Sequence, residues 1–141
     1  MPTYAPQFAS RTVLNVMQLG LIECPPDADL ATVAWLMAEH RIHCVIVSGI
    51  ERRDRRGEQL DWGIVSDLDL MAALRPECTD APAGELAATE VVIADPEDSL
   101  EHAAQLMVEH DTAHLVVVSP STGRPVGIVS TLDVARAMAA G

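Results

Sequence analysis

The chain has 141 residues, 49% hydrophobic and only 3% aromatic, with a formal charge of -12. That length supports a domain with a real core, and that charge opposes nucleic acid, whose phosphates require a basic face. Apolar residues come in runs well short of the ~18–20 that span a bilayer. The N-terminus lacks the basic start and apolar core of a signal peptide, so a cytoplasmic protein without a membrane partner is expected.

In chain order, Leu21–Cys24 is a short apolar run ahead of Pro25, Pro26 and acidic residues, which predicts a strand. Leu30, Val33, Ala34, Met37 and Ala38 then follow helical spacing. Asp27 and Asp29 before that helix and His40 at its end suit its dipole. Cys44–Val47 reads as a strand buried on both faces. A long insert, Gly49 to Trp62, carries Arg52, Arg53, Arg55 and Arg56. It is either a solvated hairpin tip or an arm toward a phosphate or acidic partner. Gly63–Val65 predicts a third strand, the hairpin partner of the second, and Asp67–Leu74 a closing helix.

The same order then returns. Val91–Ala94 matches the first strand, and Leu100, Ala103, Ala104, Met107 and Val108 match the helix. Leu115–Val118 and Gly127–Val129 match the second and third strands, and Thr131–Ala139 the last helix. Gly63-Ile64-Val65-Ser66-Asp67-Leu68-Asp69 recurs as Gly127-Ile128-Val129-Ser130-Thr131-Leu132-Asp133, identical at six of seven positions. Upstream, Pro26 through His40 lines up with Pro96 through His110 at a shift of 70, and Val16-Met17 with Leu86-Ala87. After the helix, matching His43, Val45, Val47 and Ser48 to His114, Val116, Val118 and Ser119 requires a shift of 71. A duplication fixes the architecture before any other inference. The expectation is an α/β fold of two β-α-β-β-α repeats packed with pseudo-two-fold symmetry, each with a right-handed crossover between parallel strands. The predicted boundaries are an extension over 1–12, repeats over 13–75 and 83–141, and a linker over 76–82.

Cys24, Cys44 and Cys78 are odd in number and lack Cys-x-x-Cys spacing, which argues against a disulfide framework or zinc cluster. His110 and His114 straddle a helix end without a His-Glu-x-x-His helix. Asp67 and Asp69, two apart at a helix start, diverge too far for a magnesium site. No metal is expected. No activated nucleophile, acid–base pair or Walker-type loop is visible, so an enzyme is not expected.

The repeat, the Met near the end of each first helix, the strands that follow and the paired Gly-Ile-Val-Ser-x-x-Asp turns resemble a tandem pair of cystathionine-β-synthase-type (CBS) domains, a Bateman module. The resemblance runs from about Val13 to Ala139. One departure is visible, since many members carry Pro in the second strand where this chain has Val45 and Val116. The resemblance implies a stand-alone regulatory module with no obligatory cofactor. Its ligand would be AMP, ADP, ATP or S-adenosylmethionine, held in clefts between the repeats. It would form a homodimer and signal by conformational change to a protein it regulates. In the family's motif the hydroxyl contacts phosphate and the carboxylate takes the ribose hydroxyls. By position those roles fall on Ser66 with Asp69 and on Ser130 with Asp133. Adenine would lie against Ile22, Cys24 and Ile64 in one repeat and Val92, Ala94 and Ile128 in the other, with His43 and His114 as further cleft candidates. Plain core is the competing reading of each apolar residue, and a backbone hydrogen bond that of each histidine.

The same turns have a simpler reading. Ser-x-x-Asp before an apolar helix resembles a capping box, which stabilises by ~1 kcal/mol without any ligand. A ligand-free dimerisation or interaction module is therefore the alternative function. Between the two motifs, Arg136 follows Asp133 on the helix where the first repeat has Ala72. Asp67 adds an acid where the second repeat has Thr131. These charges predict that Ser130 and Asp133 form the better site for a phosphorylated ligand. Leu70, Met71, Leu74, Val134 and Met138 on the closing helices are candidates for the dimer contact or for core, and Trp35 for a partner contact.

Overall fold

The computed structural model describes residues 8–53, 59–75, 80–87 and 91–139. Arg55, Arg56 and Cys78 lie outside them. A 3-10 turn, Phe8–Ser10, and a short helix α1, Val13–Val16, open the described chain. There follow β1 (Glu23–Cys24), α2 (Leu30–His40), β2 (Cys44–Arg53), β3 (Gln59–Ser66) and α3 (Asp67–Ala72). The second copy repeats the order as α4 (Ala83–Leu86), β4 (Ile93–Ala94), α5 (Leu100–Glu109), β5 (His114–Val118), β6 (Pro125–Ser130) and α6 (Thr131–Ala139). The short opening helices α1 and α4 were not expected. The first strands are shorter than their apolar runs, and α3 stops two residues before Leu74.

The order produces two three-stranded sheets, β1-β2-β3 and β4-β5-β6. In each, the first pair is parallel and the second antiparallel, as the crossover and hairpin readings predict. The insert of the first repeat is largely a longer hairpin, with Arg52 paired to Leu60 and Arg53 to Gln59. Both long helices start at side-chain caps. Asp29 accepts from the Thr32 N–H at 2.8 Å, and Ser99 Oγ accepts from the His102 N–H at 3.0 Å. Helix α2 buries Val33 and Met37, one turn apart, and α5 buries Leu100, Ala103 and Met107.

Both helices end on a left-handed residue that is not glycine, Arg41 (φ 53°) and Asp111 (φ 49°). After each, the next N–H bonds back five residues, Ile42 to Met37 and Thr112 to Met107, both at 3.0 Å. These turns are equal in length, which corrects the shift of 71. Cys44 pairs with Ser66, and His114 with Ser130. The equivalent of His114 is therefore Cys44, and that of His43 is Ala113. Identical side chains suggested an inserted residue; the hydrogen-bond register shows none.

The compact units in space are not the two repeats. One unit comprises the residues up to Leu21 together with those from Val92 onward, and the other is Ile22–Val91. In the first unit the Val13 N–H bonds to the Asp98 carbonyl and the Leu14 N–H to the Pro96 carbonyl, both at 2.9 Å. The second unit repeats the pattern at 2.8 Å, Ala83 to Ala28 and Gly84 to Pro26. Each repeat thus lends its opening segment to the compact unit built on the other repeat. Phe8, in the expected extension, and Val13 belong to the core of the unit built on α5, β5, β6 and α6.

Candidate functional site

Each Gly-Ile-Val-Ser stretch is the end of a hairpin strand turning into a helix. The turn is tied down by the first helical N–H, Asp67 to the His43 carbonyl at 2.8 Å and Thr131 to the Ala113 carbonyl at 3.0 Å. In the first copy Ser66 caps α3. Its Oγ accepts from the Asp69 N–H at 3.2 Å, and its N–H donates to Asp69 Oδ2 at 2.8 Å. This is a complete capping box. Asp69 Oδ1 accepts no hydrogen bond among the described residues, and Asp69 is only partly buried.

The second copy builds the same box and then adds to it. The Ser130 N–H donates to Asp133 Oδ2 at 2.8 Å, the Ser130 hydroxyl donates to that oxygen at 3.0 Å, and the Asp133 N–H donates to Ser130 Oγ at 3.3 Å. Gln18 Nε2 donates to Asp133 Oδ1 at 2.7 Å. Asp133 is 5% exposed, the one charged residue buried among those described. A buried carboxylate persists when hydrogen bonds replace its water, and both oxygens here are supplied.

The structure brings Ser66 together with Asp69 and Ser130 with Asp133. It does not bring Arg136 to Asp133: Arg136 is exposed near the end of α6. Asp67 is not a free charge, since its Oδ2 lies 2.8 Å from His43 Nδ1 and its Oδ1 accepts from the Leu68 N–H at 2.8 Å. Both grounds for preferring the second motif are thereby weakened. The first motif's extra acid has a partner, and the second motif's carboxylate is enclosed.

Cys24 and Ala94 close β1 and β4 and are members of the two cores, the plain-core reading for both. Ile22, Ile64 and Val92 are half-buried, and Ile128 is buried. His43 is largely exposed and meets a carboxylate. The half-buried His114 has its N–H and carbonyl bonded to Thr112 Oγ1. Burial, and then the nearby Asp67 charge, push the Cys44 thiol up to about 11, and burial raises Cys24. On the closing helices Leu70 and Val134 are buried, while Met71 and Met138 are exposed, as are Leu74, just past the end of α3, and Trp35.

Gln18 is the site residue that sequence reading missed. It stands after the Val16-Met17 pair that marks the start of the repeat, and its counterpart at the shift of 70 is Ala88. That difference is visible in the chain; its contact with a residue 115 positions away is not.

Among the described residues no group of three His, Cys, Asp or Glu is placed to hold a metal, and no helix is long and apolar enough to cross a membrane.

The chain is 32% identical over 125 residues to Hypoxic response protein 1 of Mycobacterium tuberculosis, covering 89% of this chain and 83% of that protein. A crystal structure of that protein's namesake, HRPI with two coordinated zinc ions, matches with a TM-score of 0.64 at 27% identity, covering 89% and 98% of the two chains. CBSX2 in complex with AMP matches with a TM-score of 0.67 at 25% identity, covering 89% and 94%. The CBS domain pair of MJ0100, solved with 5'-methylthioadenosine and S-adenosyl-L-methionine, shares the fold with a TM-score of 0.73 at 21% identity over 89% and 94%. The family model described as CBS domain matches twice, over residues 13–76 and 83–140. The chain belongs to the CBS domain family, as a tandem pair.

Proposed function

We propose that this chain is a regulatory module that binds an adenosine-containing ligand and passes the bound state to a partner protein, without catalysing a reaction. The observation that carries the reading is the Ser66–Asp69 pair, in a chain that resembles an AMP-bound CBS protein at 25% identity over 89% of its length. Asp69 keeps one carboxylate oxygen uncommitted among the described residues, and one carboxylate can accept from both hydroxyls of a ribose. The Ser66 hydroxyl accepts from Asp69 and keeps its own hydrogen for a phosphate oxygen. Ile22 and Ile64, half-buried, are the remaining apolar candidates for adenine in this copy. Signalling would be a population shift, in which the ligand favours the conformation that it binds better. Homodimerisation belongs to the same proposal, with the exposed Met71, Leu74 and Met138 as its apolar contacts.

One observation favours the alternative, a ligand-free interaction module. Both Ser–Asp pairs already form closed capping boxes, so neither needs a ligand to explain it. A thermal-shift series with AMP, ADP, ATP and S-adenosylmethionine separates the two. A ligand at 100 times its dissociation constant adds ~2.7 kcal/mol, a rise in Tm of roughly 5–10 °C for a chain of this size. No rise with any of the four leaves the interaction module as the function.

A further inference from the structure

Gln18 is held at three points. Its N–H donates to the Ile128 carbonyl at 2.7 Å, its carbonyl accepts from the Ile128 N–H at 3.1 Å, and its side-chain amide donates to Asp133 Oδ1 at 2.7 Å. The strand it lies on is approached closely because residue 127 is glycine. A Cβ there would stand 2.7 Å from Met17 Sδ and 3.0 Å from the Gln18 carbonyl oxygen. The amide is therefore delivered to Asp133 by a segment that backbone bonds fix in place.

A ribose diol binds a carboxylate by donating two O–H groups to it. Asp133 already receives the Ser130 N–H and hydroxyl on Oδ2 and the Gln18 amide on Oδ1, and it is 5% exposed. A diol could reach it only by displacing Gln18. In the first copy the matching residue is Ala88, which lies outside the described residues and, as an alanine, has no side-chain donor. We infer that Gln18 is a specificity-determining residue that closes the Asp133 carboxylate to ribose, so that each chain takes one adenosine ligand, at Ser66 and Asp69. The inference rests on the ligand-binding reading above and reverses the preference that the charges alone suggested.

Calorimetric titration of the full chain with AMP tests it, using the wild type, Gln18→Ala, Gln18→Met and Asp69→Ala. Gln18→Met keeps the length of the side chain and removes the donor, so a folding defect in the alanine variant does not end the test. The wild type should take up one AMP per chain and Asp69→Ala none. The Gln18 variants should gain a second AMP per chain, because a bond to a charged group that weakens this site on the order of ten- to a hundredfold is gone. Two AMP per wild-type chain, or one per chain in both folded Gln18 variants, overturns the role of Gln18 while ligand binding stands. No uptake by any of the four proteins overturns the ligand-binding reading and this inference with it.

Discussion

Asp69 and Asp133 occupy the same position in two copies of one turn, and their surroundings differ. Each closes a capping box with the serine three residues before it. Among the described residues, only Asp133 receives a side chain from elsewhere in the chain, and of the two only Asp133 is buried. A duplicated motif therefore need not be a duplicated site. The local sequence builds the cap, and a neighbouring segment decides whether the carboxylate stays open or becomes an internal strut.

That comparison can be broken most directly by substituting the two aspartates. Asp133→Ala removes a cap and the charged hydrogen bond from Gln18, and leaves buried donors without an acceptor. The expected loss is about 3 kcal/mol, seen as a fall in Tm of roughly 10 °C. Asp69→Ala should cost about 1 kcal/mol, the worth of an ordinary cap. Equal losses in a denaturation series would show that burial does not distinguish the two positions.

Gly127→Ala tests whether the opening segment matters to the second copy. The added methyl would collide with Met17 and the Gln18 backbone. A cost of about 2 kcal/mol is expected from such overpacking. Restored stability in Gly127→Ala combined with Met17→Ala would trace the loss to that collision. An unchanged Tm in the single variant would mean that the segment yields freely, and Gln18 would then be a weak lock.

The smallest effect concerns Cys24 and Cys44, two thiols of the first copy. Cys24 and Cys44 correspond to Ala94 and His114. Because the Cys44 thiol is raised from 9.0 to about 11, the folded protein holds its proton where the unfolded chain has lost it. The stability from this group is intact below about pH 9 and falls as pH rises toward about 11. Denaturation midpoints should decline over that window and decline less in Cys44→Ala. Parallel curves would remove Cys44 as the source.

Much of this was legible in the chain. The helices α2 and α5 follow from apolar spacing, because a helix meets its core through residues three and four apart. The turns at Ser66 and Ser130 follow from a motif whose capping chemistry spans only three residues. The alignment after the first helix did not follow. His43 resembles His114 as a residue, yet Cys44 and His114 are the two that pair with the motif serines. Strand register is set by hydrogen bonds between segments, and side-chain identity was a poor guide to it. The walls proposed for adenine divided in the same way. Cys24 and Ala94 turned into the cores, while Ile22 and Ile64 stayed partly open, a distinction that a run of apolar letters does not encode.

The sequence by itself determined the duplication, the α/β order of each copy and the two Ser–Asp turns, because these rest on periodicity and contacts within a few residues. Only the tertiary structure decided that each repeat's opening segment joins the compact unit of the other repeat, and that Gln18 reaches Asp133 across 115 positions. Those outcomes depend on which surfaces bury one another and which buried polar groups find partners, and neither is a local property of the chain.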